Sequence, residues 1–276
     1  MWSTKNNAIE IDGIEGIATI TNNTDATIRS DSTNIDHAAI VIKDSSSKAI
    51  VSNAGTLTGP NGILVDNSTV TLTNSGAINA SSGEALLLKN NAFVILTNTG
   101  TMSGIKGINI YGTTPSTSNT GTVTSSGNDN AALYNAGTLT LLNNGGTLQG
   151  TGATNSYGLY SEGFVRRTEN SGSIISTNSS GFYNLGTINE VINSTGSAII
   201  SSTNGHGLQN DGTITWLINT GTISTSSNSS YGIYNASPNT IVNFVNEGSI
   251  SSNNDGVNNN PGAITNFENL GTISSG

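Results

Sequence analysis

The chain of 276 residues has no cysteine and only 4 prolines. Without cysteine there is no disulfide framework and no thiolate metal site. The absence leans toward an exported protein, since many exported bacterial chains avoid cysteine. Glycine is abundant, at 34 residues, but there is no Gly-X-Y period, so collagen is excluded. Charge is scarce: charged residues are 9% of the chain, against about a quarter in an ordinary globular domain. The 8 basic residues face 17 acidic ones, giving a net charge of −9, and none follows Arg167. Phosphate contacts need clustered Lys and Arg, so nucleic acid is not an expected partner. No run of about 18 apolar residues exists, so no transmembrane helix is expected. The opening segment MWSTKNNAIEIDG lacks the apolar core of a signal peptide. No segment combines a 3.6-residue apolar stripe with caps, so helices are not expected.

What the chain does have is a repeat. Asn-x-Gly-x-Φ, with Φ apolar, recurs as NAGTL (53–57), NSGAI (74–78), NTGTM (98–102) and onward to NLGTI (269–273). A variant with one extra residue is read at NSTGSAI (193–199). From Gly55 to Gly271 the series spans 216 residues over nine intervals, a mean period of 24. A second copy precedes it by nine residues in many units, as Gly137 precedes Gly146 and Gly212 precedes Gly221. An opening element completes the unit, as in YGLYS (157–161), SGFYN (180–184) and YGIYN (231–235). HAAIVIKD (37–44) and GEALLLKN (83–90) read as the same element, and DATIRS (25–30) as the closing one.

Three short apolar beats per 24 residues, alternating apolar and polar and rich in Thr, Ile and Val, suit one turn of a three-sided solenoid of strands. In GTITWLIN, Ile214 is expected to point in, with Thr213 and Thr215 out. Stacking the copies gives three inward columns. The first runs Ile42, Ile63, Leu87, Leu133, Leu159, Phe182, Leu208, Ile233 and Val257. The second runs from Leu72 and Leu96 through Leu142, Val191, Leu217 and Phe244 to Phe267, broken by Thr117 and Thr168. The third runs from Leu57 through Met102, Leu148 and Ile223 to Ile273. Gly and Asn between beats suit corners that need positive φ. Stacked Asn side chains can also bond from coil to coil as a ladder. The fold class is therefore all-β, a parallel β-helix of roughly 11 coils and, at the usual strand spacing, roughly 55 Å long. Residues 1–276 read as a single solenoid domain, with 1–35 as irregular first coils. The last repeat has no polar cap, so the chain reads as part of something longer.

The unit carried by GLQNDGTITWLINTGTIS (207–224), GFYNLGTINEVINSTGSAIIS (181–201) and ALYNAGTLTLLNNGGTLQG (132–150) resembles the passenger repeats of bacterial autotransporters, the type V secreted proteins. The resemblance implies a right-handed parallel β-helix, exported and displayed at the cell surface or released. It also implies a C-terminal translocator barrel in the parent protein. That family has no universal catalytic site in its helix, so no functional residue carries over.

Catalytic and metal-binding patterns are sparse. His37 and His206 fall about seven coils apart and cannot pair, and each reads as a surface residue. Glu162, Arg166, Arg167 and Glu169 form the only mixed-charge cluster and read as a solvated loop. Asp211, Glu247 and Glu268 read as solvated turn variants. Calcium-binding GGxGxD nonapeptides and a phosphate-binding loop are absent. The T-x-T pairs do not repeat at one position on consecutive coils, as a flat ice-binding face would need. One outward column stands apart: Tyr134, Tyr160, Tyr183 and Tyr234 occupy the same repeat position, interrupted by Gln209. It is a candidate strip for glycan or protein contact, although tyrosines also stack along strand faces for structural reasons. No enzyme activity and no cofactor are expected. The expected role is an adhesin or rigid stalk that contacts a host-cell surface, a glycan or another copy of itself. The alternatives are the scaffold of a secreted toxin or effector and, less favoured, a tailspike-like glycan-degrading enzyme or an ice-binding solenoid.

Overall fold

The computed structural model describes residues 2–3, 6–236 and 238–276. Among these there is no helix. The strands form three parallel sheets, of 12, 11 and 11 strands. Each strand pairs with the strand three positions on, so the chain winds through the three sheets in turn. Among the described residues this makes eleven complete coils of a three-sided β-solenoid. We name the faces by their place in the repeat. In coil 1 the opening face is Ile9–Asp12, the middle face Ile17–Asn22 and the closing face Thr27–Ser30. In coil 11 they are Val257–Asn258, Ala263–Asn269 and Thr272–Ser275.

The interior is built from the three columns. On the closing face, Leu57, Ile78, Met102, Val123, Leu148 and Ile174 pair in register and are fully buried. The middle-face column is as expected as far as Phe244, with Thr117 and Thr168 standing in it fully buried, while Phe267 of coil 11 keeps the register but is 52% exposed. Their hydroxyls have no hydrogen-bond partner. The opening-face column differs in the early coils: it runs Ile40, Ile63, Leu86, Ile108 and Leu133. Ile42 lies two residues further along the same inward side, and Leu87 points to the other side. The cause is that these strands are buried on both sides. Ala38, Val41, Leu64 and Leu87 form a second small apolar cluster, so the strict alternation that reveals a half-buried strand is lost.

The Asn ladder is present in full. On the middle face, the side-chain Nδ2 of each Asn donates to Oδ1 of the next along Asn22, Asn53, Asn74, Asn98, Asn119, Asn144, Asn170, Asn193, Asn219, Asn246 and Asn269. Every link is 2.7–2.8 Å. The same Nδ2 groups also reach backbone carbonyls, as Asn144 does to Gly146 O and Ser173 O. A shorter ladder on the opening face links Asn184, Asn210, Asn235 and Asn259.

The glycines serve a different purpose from the one the sequence suggests. Among the described glycines, positive φ occurs only at Gly13 and Gly16. The left-handed corners are instead held by Asp25, Asp44, Asn67, Asn90, Asp129 and Asn155. The repeat glycines are required by close approach. A Cβ on Gly146 would lie 2.0 Å from the carbonyl oxygen of Gly121 in the preceding coil. Gly196 is outside this stack, with nothing within 4 Å of a Cβ. The insertion at 193–199 is therefore larger than one residue. Ile200, not Ile199, enters the closing column, and the Ala198 carbonyl takes the glycine's place, accepting from Thr222 N–H at 2.8 Å.

From coil 5 onward the middle strand lengthens from six residues to seven. A register shift between Phe93 and Ile95 marks the change. The extra residue is a β-bulge that recurs on every later coil, so that two successive side chains point outward between inward ones. In coil 9 Ile214 and Leu217 point in, while Thr215 and Trp216 both point out.

Two outcomes follow from the stacking. Asn144→Ala should cost about 1–3 kcal/mol, because it removes ladder bonds and leaves buried partners unpaired; at the exposed end of the ladder, Asn269→Ala should cost less. Gly146→Ala should destabilise the rod markedly while Gly196→Ala is near neutral. Denaturant midpoints of the four variants check both, and equal midpoints for the glycine pair would refute the close-approach account.

Candidate functional site

The tyrosines cluster on or beside the opening face. Strand register places Tyr134, Tyr160 and Tyr183 on consecutive coils, then Gln209, then Tyr234. All four tyrosines are half-buried rather than standing free. Tyr134 meets Tyr160 edge-on at 5.3 Å between ring centres, and Tyr160 stacks on Tyr183 at 4.8 Å. Tyr111 and Tyr157 extend this stack, at 5.9 Å from Tyr134 and 5.1 Å from Tyr183. Tyr234 is separated from it and instead stacks on His206 at 4.8 Å, with Tyr231 on the same imidazole at 5.4 Å. Sequence reasoning missed Tyr157, Tyr231 and His206 as a set. The signal was there, because all three precede the glycine of the opening element.

The phenol hydroxyls are directed by two carboxylates. Tyr134 and Tyr160 both donate to Glu162, and Tyr183 donates to Asp211 at 2.9 Å. Asp211 also accepts from Gln209 Nε2 at 2.8 Å. Asp211 is therefore a partner of the strip and not a solvated turn variant. Burial, with the neighbouring carboxylate second, pushes the phenols of Tyr134, Tyr160 and Tyr183 far above their usual range. Burial also raises Tyr157. His206 is not the free surface residue expected. Burial between the rings holds it below its usual value of 6.5, and its Nδ1 accepts from Tyr231 N–H at 3.0 Å. His37 lies seven coils away against Ser32, as the spacing requires.

The mixed-charge cluster is not a loop. Arg166, Arg167 and Glu169 lie on the strand Phe164–Asn170 of the middle face, and Glu162 sits at the corner before it. The repeat through this stretch is degenerate in sequence, yet it pairs in register with both neighbours. Arg167 donates through Nη2 to Glu169 at 3.3 Å and pairs through Nη1 with Glu190 of the next coil at 3.4 Å. Its Nε is buried without a partner. Arg166 is exposed and makes no ion pair among the described residues. Trp216, one coil beyond Glu190 in the same register, is 43% exposed. These side chains line a shallow groove of about 960 Å³ on coils 5–9, bounded at one end by Pro115 and at the other by Trp216.

No group of three or more His, Cys, Asp or Glu that could hold a metal ion occurs among the described residues. Among them there is also no helix long and apolar enough to cross a membrane. The chain matches no protein-family description, no curated protein and no solved structure.

The shielded phenols give a titration test. A phenol whose folded pKa is raised favours the folded state below its unfolded pKa near 10, and that contribution is lost as pH rises beyond it. Absorbance at 295 nm should show Tyr134, Tyr157, Tyr160 and Tyr183 ionising later than free tyrosine, with Glu162→Gln bringing Tyr134 and Tyr160 down. A single step near pH 10 for all seven tyrosines in the folded rod would contradict this packing.

Proposed function

We propose that the chain is a rigid, non-catalytic recognition rod, the passenger portion of a bacterial surface or secreted protein that acts in attachment. Its partners are a host-cell surface, a glycan or a second copy of the rod. One observation carries the reading: the tyrosines gather on and beside one outward face, ring against ring on consecutive coils, instead of scattering. All seven tyrosines fall between residues 111 and 234, and Phe164 and Trp216 stand on the neighbouring middle face. Elsewhere the outward positions of the closing face are mostly Ser, Thr and Asn, while the middle face of the first four coils also exposes Ile17, Ile50, Phe93 and Ile95. Ordered aromatics with fixed neighbours cost little entropy on binding, which suits a surface built to recognise. The ladders supply the stiffness of a stalk. The autotransporter-like repeat supports display outside the cell, with a translocator barrel elsewhere in the parent protein.

A second reading has one observation in its favour. Glu169 and Glu190 converge on Arg167 in the groove, and paired carboxylates cleave glycans in many enzymes. Both carboxylates are engaged by the same guanidinium, however, which suits a fixed polar floor better than a proton donor.

The test uses labelled rod on cultured epithelial cells, on bacteria and on itself. Saturable binding is expected on at least one, and the double variant Tyr160→Ala/Tyr183→Ala should weaken it several-fold with an unchanged circular dichroism spectrum. Wild-type binding by that variant would remove the tyrosine strip from the mechanism. No binding to any surface would remove the adhesive reading, and release of reducing ends from polysaccharide would replace it with an enzyme.

A further inference from the structure

The groove on the middle face is a product of the β-bulge. On each of coils 5–9 the bulge turns two successive side chains outward where an ordinary strand turns one. Most of the groove's lining comes from these doubled positions. Arg166 and Arg167, Asn189 and Glu190, and Thr215 and Trp216 are three such pairs on three consecutive coils. Strand pairing aligns Arg167, Glu190 and Trp216 along the rod axis, about 4.8 Å per coil.

We propose that this groove binds a short stretch of an acidic oligosaccharide, with the chain lying along the rod axis. The inference rests on the rod being a recognition surface and names what it recognises.

Four features carry it. Trp216 offers an exposed indole face, the surface on which the apolar side of a pyranose ring packs. Beside it lie Glu190 and Arg167, held in place by the Arg167 ion pairs, with the exposed amide of Asn189 next to Glu190 on the same strand. Planar carboxylates, amides and guanidinium groups are matched to the adjacent hydroxyls of a sugar. Arg166 keeps a free, exposed guanidinium, which can take a carboxylate through two parallel hydrogen bonds. Finally, a pyranose chain advances per residue by nearly the rise of one coil, so successive sugars can meet equivalent positions on successive coils. Arg166 also sits at the boundary of the basic residues: beyond Arg167 the chain has no Lys or Arg. On a rod of net charge −9, Arg166 is the cation of this groove that no carboxylate holds, and it is where an anionic chain finds attraction along it. Because Arg167 is neutralised by two carboxylates, charge alone does not provide the binding. It sets the preference among sugars that already stack on Trp216.

The experiment is calorimetric titration of the 276-residue rod with three probes: tetragalacturonate, a hyaluronan tetrasaccharide and neutral cellotetraose. At least one acidic probe should bind with Kd of about 1 mM or tighter, and at least tenfold more tightly than cellotetraose. Trp216→Ala should abolish binding. Arg166→Gln should erase the preference for the acidic chain. Ile50→Ala, exposed on the same face three coils before the groove begins, should change nothing. No binding by either acidic probe overturns the inference, as do equal affinities for acidic and neutral chains or wild-type binding by folded Trp216→Ala. A rod that adheres to cells but binds none of the probes loses this inference and keeps the adhesive reading. A rod that binds the acidic probe but no cell does the reverse.

Discussion

The distance between neighbouring coils governs this molecule. Parallel strands stack at about 4.8 Å, and every position must tolerate its own counterpart at that distance above and below. Few side chains gain from meeting themselves so closely. Asparagine does, because its amide carries both a donor and an acceptor. The middle-face ladder therefore runs unbroken over eleven coils, each Nδ2 donating to the next Oδ1. It lets a chain with 33% hydrophobic residues hold a buried interior, since the buried amides of the ladder are paired and not merely removed from water. Glycine answers the same constraint from the other side. Where backbones of adjacent coils come closest, a Cβ has no room. Asn and Gly are two solutions to one spacing, which is why they travel together in the repeat.

The constraint also shows where the chain is free. Length varies most between the closing and opening faces, from one residue at Pro60 to seven at 226–232, and two insertions fall between the ladder Asn and the glycine slot, where the polypeptide can bulge away from the axis. After Asn193, residues 195–197 leave the stack, and Ile199 N–H still reaches the Gly172 carbonyl at 2.8 Å. Coil 1 uses the same device after Asn22, with Asp25 at positive φ and the Ala26 carbonyl accepting from Thr56 N–H. In both places alanine stands where other coils have glycine. The ladder continues past each insertion because the Asn on either side keeps its register.

This explains what the sequence disclosed and what it hid. The closing and middle columns were legible because their residues alternate with polar ones over strands buried on one side. The opening column in coils 2–4 was not, because HAAIVIKD and GEALLLKN are buried on both sides and Leu86, Leu87 and Leu88 are equivalent by composition. The period of 24 was legible because Asn and Gly are fixed by spacing. The reason for the glycines was not, since tight turns and close approach select the same residue. The tyrosine column could be placed by repeat position alone, whereas its coupling to Glu162 and Asp211 spans coils and leaves no mark on local pattern. The same holds for Arg167 and Glu190, which are 23 positions apart in the chain and adjacent in space.

The bulge on the middle face joins these threads. In the sequence it is only a change of spacing, Φ-x-x-Φ where strict alternation would give Φ-x-Φ. In the fold it adds one outward side chain per coil without disturbing the inward columns or the Asn that ends the strand. A surface that must be recognised needs variety, while a stacked core needs repetition, and one strand satisfies both demands only if it has positions exempt from the stacking rule. The doubled outward positions are less bound by it, because they face solvent; an Asn–Asn link recurs there only in the last coils, where Asn266 Nδ2 donates to Asn243 Oδ1 at 2.8 Å. They accordingly hold the least repetitive residues of the unit: Leu141, Arg167, Glu190, Trp216, Asn243 and Asn266 succeed one another at one register position. Chemical individuality in this rod is concentrated where the spacing constraint is relaxed, and that is the physical ground for seeking its specificity on this face.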